Sequence, residues 1–170
     1  MGSTISWIYG FWHREYFVAV LGLDGAGKTS LVEHLRVGYM GEPLPTMGFN
    51  ITDVRVNNCT IKFADLSGQE GMRRIWSSLY HSADAIVYVV DGTDVSRLPL
   101  AMSELKTVKS YPTLEDKPFL ILVNKQDENA VDVKVLKHQI TGDRWRAYNV
   151  SVKEDKGLDE AFLWLEANLL

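Results

Sequence analysis

The chain has 170 residues, 46% hydrophobic and 24% charged, with a net charge of −4. That is enough for one globular domain with a sizeable core, and it argues against general nucleic-acid binding. Cys59 is the only cysteine, which excludes an intramolecular disulfide or a multi-cysteine zinc site and suits a reducing compartment.

No apolar run reaches membrane-spanning length, and the N-terminus lacks the basic start and long apolar stretch of a secretory signal. Instead Met1-Gly2-Ser3-Thr4-Ile5-Ser6 matches the N-myristoylation pattern, with Gly2 as the acceptor once Met1 is removed. At about 100° per residue, Ile5, Trp7, Ile8, Tyr9, Phe11 and Trp12 share one arc, while Ser6, Gly10, His13 and Arg14 share the other. The spacing predicts an amphipathic segment, rich in aromatics, that lies at a bilayer interface or packs on the protein's own surface. One myristoyl chain binds membranes with K on the order of 10⁴ M⁻¹, so hiding or releasing such a helix could gate residence there.

Tyr16 to Leu21 is an apolar, β-rich run that reads as a buried strand. It leads into Gly22-Leu23-Asp24-Gly25-Ala26-Gly27-Lys28-Thr29, a complete G-x-x-x-x-G-K-[ST] phosphate-binding loop. The glycines let backbone N–H groups turn inward around anionic oxygens, with Asp24, Gly25, Ala26 and Gly27 forming the cradle. Lys28 can reach the β- and γ-phosphates, and the Thr29 hydroxyl can ligate Mg²⁺. Ser30, Leu31, Val32 and Leu35 continue at helical spacing, so the loop opens a helix whose N-terminus favours the anion.

Ile51 to Val56 reads as the first arm of a hairpin that turns at Asn57-Asn58, with the second arm starting near Thr60 and the run Ile61 to Ala64 leading to Asp65. Ala85 to Val90 and Phe119 to Val123 are further buried strands, ending at Asp91 and Asn124, and Trp145 to Val150 is a less regular one. Helical patterns lie at Leu100 to Ser110 with Pro99 in the first turn, at Val131 to Ile140, and at Leu158 to Leu169. Strands alternating with helices predict an α/β domain, a mostly parallel six-stranded sheet with helices on both faces. Ligands in such folds bind beyond the carboxyl ends of the strands, where Asp65, Asn124 and the phosphate loop gather. His13, His34, His81 and His138 have no metal spacing, and Trp76, Trp145 and Trp164 read as packing residues.

Asn124-Lys125-Gln126-Asp127 selects the base. A carboxylate at Asp127 can accept from N1–H and the 2-amino group of guanine, donors that adenine lacks there. Asn124 can bridge the base and neighbouring loops, and the stem of Lys125 can lie over the base plane. In Asp65-Leu66-Ser67-Gly68-Gln69, Asp65 can hold a water on Mg²⁺, the Gly68 amide can meet a γ-phosphate oxygen, and Gln69 can orient the attacking water. An ATP-dependent kinase would need a lid of arginines and lacks a use for Asn124 to Asp127.

With these segments and Pro45-Thr-Met-Gly-Phe-Asn50, the chain resembles the small GTPases of the ADP-ribosylation factor and ADP-ribosylation-factor-like family, over nearly its whole length. The resemblance implies a membrane-binding segment over 1–14 and a GTP-binding domain over 15–170. It implies GTP/GDP and Mg²⁺ as ligands, with Thr46 as the first-switch threonine binding Mg²⁺ and the γ-phosphate, and residues 65–79 as the second switch. Residues 50–64 would form a hairpin that slides on nucleotide exchange. Ser151 and Val152 stand at the family's second base-binding pair, the contact there being a backbone amide. The implied function is a switch with weak intrinsic hydrolysis, acting in vesicular traffic. It would be cytoplasmic and monomeric, and would cycle to the Golgi or other endomembranes. Its implied partners are an exchange factor, a GTPase-activating protein, effectors of the GTP state and the membrane surface. A binding module with negligible hydrolysis is the alternative. Four positions depart from the family: Val152 stands where the second base-binding pair usually has alanine, Ala64 replaces an exposed tryptophan, Ser67 a glycine and Leu79 a tyrosine, so only Phe49 remains of its aromatic recognition triad.

Overall fold

Ala85–Asp91 and Phe119–Asn124 show no alternation of apolar and polar residues because both of their faces are covered. In the computed structural model, which describes residues 14–37, 49–56, 59–136 and 143–169, they are the central strands β4 and β5 of a six-stranded sheet. The other strands are β1 (Arg14–Leu21), β2 (Phe49–Val56), β3 (Cys59–Leu66) and β6 (Trp145–Asn149). The spatial order is β2-β3-β1-β4-β5-β6; β2 pairs antiparallel with β3, and every other pairing is parallel.

Among the described residues four α-helices cover this sheet: α1 (Lys28–Val37), the short α2 (Trp76–Leu79), α3 (Leu98–Lys109) and α4 (Leu158–Leu169). Leu31 and Val32 of α1 and Leu158, Ala161 and Leu165 of α4 pack on one face with Val18, Val20, Val87 and Leu120. Ala101, Met102, Leu105 and Val108 of α3 pack on the other with Ile86, Tyr88, Val90 and Ile121. Each fully buried aliphatic side chain among these contributes about 1.5–3 kcal/mol. Pro99 sits in the first turn of α3, where its missing N–H costs nothing. Trp76, Trp145 and Trp164 are packing residues, as their surroundings suggest: Trp145 stacks on Phe119 with ring centroids 4.5 Å apart.

From β1 the chain runs to β2 and β3 on one side, and from β3 it crosses to β4 on the other side and on to β5, so the topological switch point lies at the carboxyl ends of β1 and β4. Register then brings the polar strand ends together: Val20 pairs with Asp65, Leu21 with Tyr88, and Asp91 with Asn124.

One expected helix is different. Val131 to Ile140 is not an α-helix over its described part, which holds a single 3₁₀ turn at Val133–Val135. Neighbouring groups anchor its start, and one of them occupies a carbonyl that a helix would use. The Val131 N–H donates to Gly92 O, Val131 O accepts from Gln126 Nε2, and the Val133 N–H donates to the Asn149 side chain. The later residues of that prediction, from 137, lie outside the described residues. So do Gly2, Thr46 and the N-terminal segment through His13, together with the expectations placed on them.

Candidate functional site

The phosphate loop turns directly off the buried end of β1. Gly22 takes φ +141°, Gly25 +75° and Gly27 +96°, conformations that only glycine adopts freely. Gly27 has a second reason to be glycine: a Cβ there would come within 2.4 Å of Asn124 Nδ2. The loop closes on itself through Ala26 N–H to Leu23 O at 3.4 Å, and α1 starts with Leu31 N–H to Gly27 O at 2.9 Å. Ser30, half-buried, lies in that first turn.

Lys28 is only 6% exposed and donates from Nζ to Leu23 O at 2.9 Å, so its ammonium points back into the loop. Burial pushes its pKa down from the ordinary 10.5 to about 8, against the pull of Asp65 and Asp24. The sign has two consequences. In nucleotide-free protein the unfolded chain binds more protons between pH 8 and 10.5, so stability rises with pH across that window. A polyphosphate favours the charged lysine and reverses the shift. GDP binding at pH 8 is therefore expected to take up about half a proton, and affinity to fall by up to about tenfold per pH unit above 8. Calorimetry in buffers of different ionisation enthalpy reads this directly; zero uptake would remove Lys28 from the phosphate site.

Thr29 Oγ1 donates to Asp65 Oδ2 at 2.5 Å, joining the start of α1 to the end of β3. A hydroxyl and a buried carboxylate at the mouth of an anion-binding loop are hard oxygen donors of the kind Mg²⁺ takes, so the residues fit that ion. Gly68 packs against the loop itself: a Cβ there would meet Asp24 N and Leu23 C at 2.3 Å and Gly22 O at 2.5 Å. Gln69, next in sequence, is exposed, and its N–H faces Ser67 Oγ at 3.4 Å. Ser67 is 2% exposed, and its carbonyl accepts from Trp76 Nε1 at 3.0 Å. The serine that replaces the family glycine thus participates in a fixed turn ahead of Gln69.

Asn124 is the centre of the base side. It is 4% exposed; Nδ2 donates to Ala26 O at 2.9 Å, and Oδ1 accepts from the Val152 N–H at 3.1 Å. One amide therefore ties three loops together. The Val152 amide, expected at the base, is here engaged by Asn124. Asp127 Oδ1 accepts from Ser151 Oγ at 2.7 Å, and Lys153 Nζ lies 3.3 Å from Oδ2. The Ser151 hydroxyl, with Lys153, keeps the Asp127 carboxyl below the usual range, so it is an acceptor. Lys125 has φ +67° and pairs through Nζ with Asp91 Oδ2 at 2.6 Å, which holds its stem across the site.

The predicted residues Asp24 to Ser30, Asp65, Gly68, Gln69, Asn124 to Asp127, Ser151 and Val152 are thus gathered at one edge of the sheet. The sequence profile described as the ADP-ribosylation factor family matches residues 3–169. The chain belongs to the ADP-ribosylation factor family. It is 35% identical to ADP-ribosylation factor-like protein 1 of Caenorhabditis elegans over 180 aligned positions, covering 99% of this chain and 98% of that protein. It is 34% identical to ADP-ribosylation factor-like protein 1 of Drosophila melanogaster, again over 99% and 98%. ADP-ribosylation factor-like protein 8c of Arabidopsis thaliana is 36% identical, over 96% and 93%. In fold it is similar to the Arl6 BBS3 small GTPase of Trypanosoma brucei, a structure with the nucleotide analogue GppNp bound: TM-score 0.82, 22% identity, 92% of this chain and 98% of that one. Membership makes the chain a GTP-binding switch of a family whose members generally hydrolyse GTP, with Mg²⁺, and meet exchange factors, activating proteins and effectors.

Against this family background two departures acquire a structural meaning. Ala64 is fully buried in the core, and Leu79 packs half-buried against the same cluster. Where the family implies exposed aromatics, this chain turns small or aliphatic groups inward; Phe49 remains 53% exposed. Arg73, four residues beyond Gln69, is turned inward. Its side chain is 12% exposed, donating from Nε to Gly68 O at 2.9 Å and from Nη1 to Glu104 of α3 at 3.0 Å. Sequence reasoning missed Arg73 as a tie, and it missed Arg97, which reaches the loop from the N-cap of α3, and Asp94, which holds Arg97; nothing in their local pattern points to the loop.

Proposed function

We infer that this switch hydrolyses GTP slowly by itself and recruits effectors to intracellular membranes in vesicular traffic. The contact of Gly68 with the backbone of Gly22 to Asp24 carries the reading: a segment seated that tightly must respond to what fills the loop. The loop amides and Lys28 gather negative charge on the transferring phosphate. Gln69, one residue beyond Gly68, orients water for in-line attack. Thr29 and, through a water, Asp65 would hold Mg²⁺, and the ion would supply neutralisation of the phosphates' charge. Asn124 and Asp127 hold guanine, with Lys125 along its plane.

Arg73 is committed to Gly68 O and Glu104 and is not free to act as a finger. A GTPase-activating protein that supplies an arginine then accounts for about 10³–10⁵ in rate. Gln69→Leu is expected to abolish the GAP-stimulated part of single-turnover hydrolysis while leaving GTP binding intact. Unchanged stimulation would remove Gln69 from the mechanism, and no stimulation of the unmodified protein by any GAP would favour the binding-module reading.

Membrane contact rests on Gly2 and the apolar arc of residues 5–12. A groove of about 570 Å³ between α1, the β2–β3 hairpin and α4, lined by Leu35, Val54, Phe63, Leu158 and Phe162, has the apolar character to receive that arc when it is off the membrane. Liposome flotation of the acylated protein loaded with GTP analogue or GDP tests this; equal binding in both states argues against it.

A further inference from the structure

Arg97 stands at the N-cap position of α3, outside every motif that identifies the site, yet its guanidinium spans to the phosphate loop. Nε donates to Asp94 Oδ2 at 2.6 Å. Nη1 lies 3.1 Å from both carboxylate oxygens of Asp24, and Nη2 donates to the Asp24 carbonyl at 3.3 Å. Asp94 is itself fixed: its Oδ1 accepts from Ser96 Oγ at 2.7 Å and from the Arg97 N–H at 3.1 Å. The guanidinium is therefore aimed from its Nε end before it meets the loop, which is the preorganised use of arginine's planar fork. Its target is the hinge of the cradle. Gly25, at φ +75°, is where the loop turns, and a Cβ on it would sit 3.9 Å from Arg97 Nη2.

Asp24 is chemically awkward where it stands. A carboxylate within a loop built to hold phosphate repels the ligand, and Lys28 points back to Leu23 O rather than outward to Asp24. We propose that Arg97 is a positioning residue for nucleotide binding: it neutralises Asp24 and clamps the Asp24–Gly25 peptide from outside, so that the loop keeps its anion-binding shape. The proposal rests on the phosphates occupying this loop. It deepens that assignment with a residue that touches no phosphate itself.

A double-mutant cycle tests it, read as the dissociation rate and affinity of a fluorescent GDP analogue. Arg97→Gln leaves Asp24 as a bare carboxylate and is expected to weaken GDP binding about fivefold at low salt. The loss shrinks as ionic strength rises, because the pair is part-exposed, with side-chain exposures of 39% and 52%. Asp24→Asn added to Arg97→Gln is expected to restore affinity to that of Asp24→Asn alone, a rescue that a poorly folded Arg97 variant would not show. Arg97→Lys, which keeps the charge without the fork, is expected to fall between. An Arg97→Gln loss that persists unchanged in the Asp24→Asn background would overturn the proposal, as would no loss at all. Lys28→Ala separates the two levels of the argument. If it abolishes GDP binding while Arg97→Gln binds as the unmodified chain does, only the role of Arg97 fails. If Lys28→Ala also binds normally, the phosphate site itself is wrong.

Discussion

Asp127→Asn is expected to lower GTP affinity by about 10⁴-fold and to create binding of the xanthine nucleotide. The carboxylate has the properties a guanine acceptor needs. Its side chain is only 6% exposed, it is held ionised, and Ser151 Oγ at 2.7 Å fixes its orientation. An asparagine there presents an N–H where guanine also presents donors, and a buried donor facing a donor is left unpaired. Xanthine carries an oxygen at that edge and accepts instead. Competition of labelled GDP against the guanine and xanthine triphosphates measures the change. Retained tight GTP binding in the variant would show that Asp127 serves only to order the Ser151 loop.

Asn124→Ala is expected to destabilise the nucleotide-free protein by about 2–4 kcal/mol, as well as to abolish nucleotide binding. The reason is architectural. Its amide satisfies Ala26 O and the Val152 N–H, which belong to residues 0% and 2% exposed. Truncation leaves two backbone groups orphaned in the interior, and it opens the space against Gly27 that the close approach of Nδ2 now fills. Urea unfolding without nucleotide isolates the structural part. A midpoint shift worth less than about 0.5 kcal/mol would mean that the three loops are held by other contacts. Paired with Asp127→Asn, the experiment separates two roles within one motif: Asn124 builds the site, while Asp127 chooses what enters it.

Most of this molecule was legible in its sequence because most of it is locally encoded. Continuous apolar runs fixed β4 and β5, since a strand covered on both faces needs no alternation. The loop Gly22 to Thr29 and the segment Asn124 to Asp127 were readable because phosphate and guanine recognition demand particular residue types at particular spacings. The 131–140 segment was misread for the opposite reason. Its helical periodicity is real, but Gln126 takes the Val131 carbonyl a helix would use, and Gly92 and Asn149, distant in sequence, tie down its first N–H groups.

The sequence by itself therefore determined the fold class, the family and the motifs that the sheet gathers at its carboxyl end. Tertiary structure decided how those motifs are supported. Asp24 and Arg97 stand 73 positions apart, and only the pairing of β4 with β1 brings the start of α3, and with it a guanidinium, to the loop. Arg73 became a tie to Glu104 because the second-switch turn packs on α3, and Ala64 became core because β3 lies between β1 and β2. Motifs record chemistry that needs contiguous atoms; pairings across elements depend on register and helix placement, which the sum of many weak packing contacts sets and no short stretch of sequence contains.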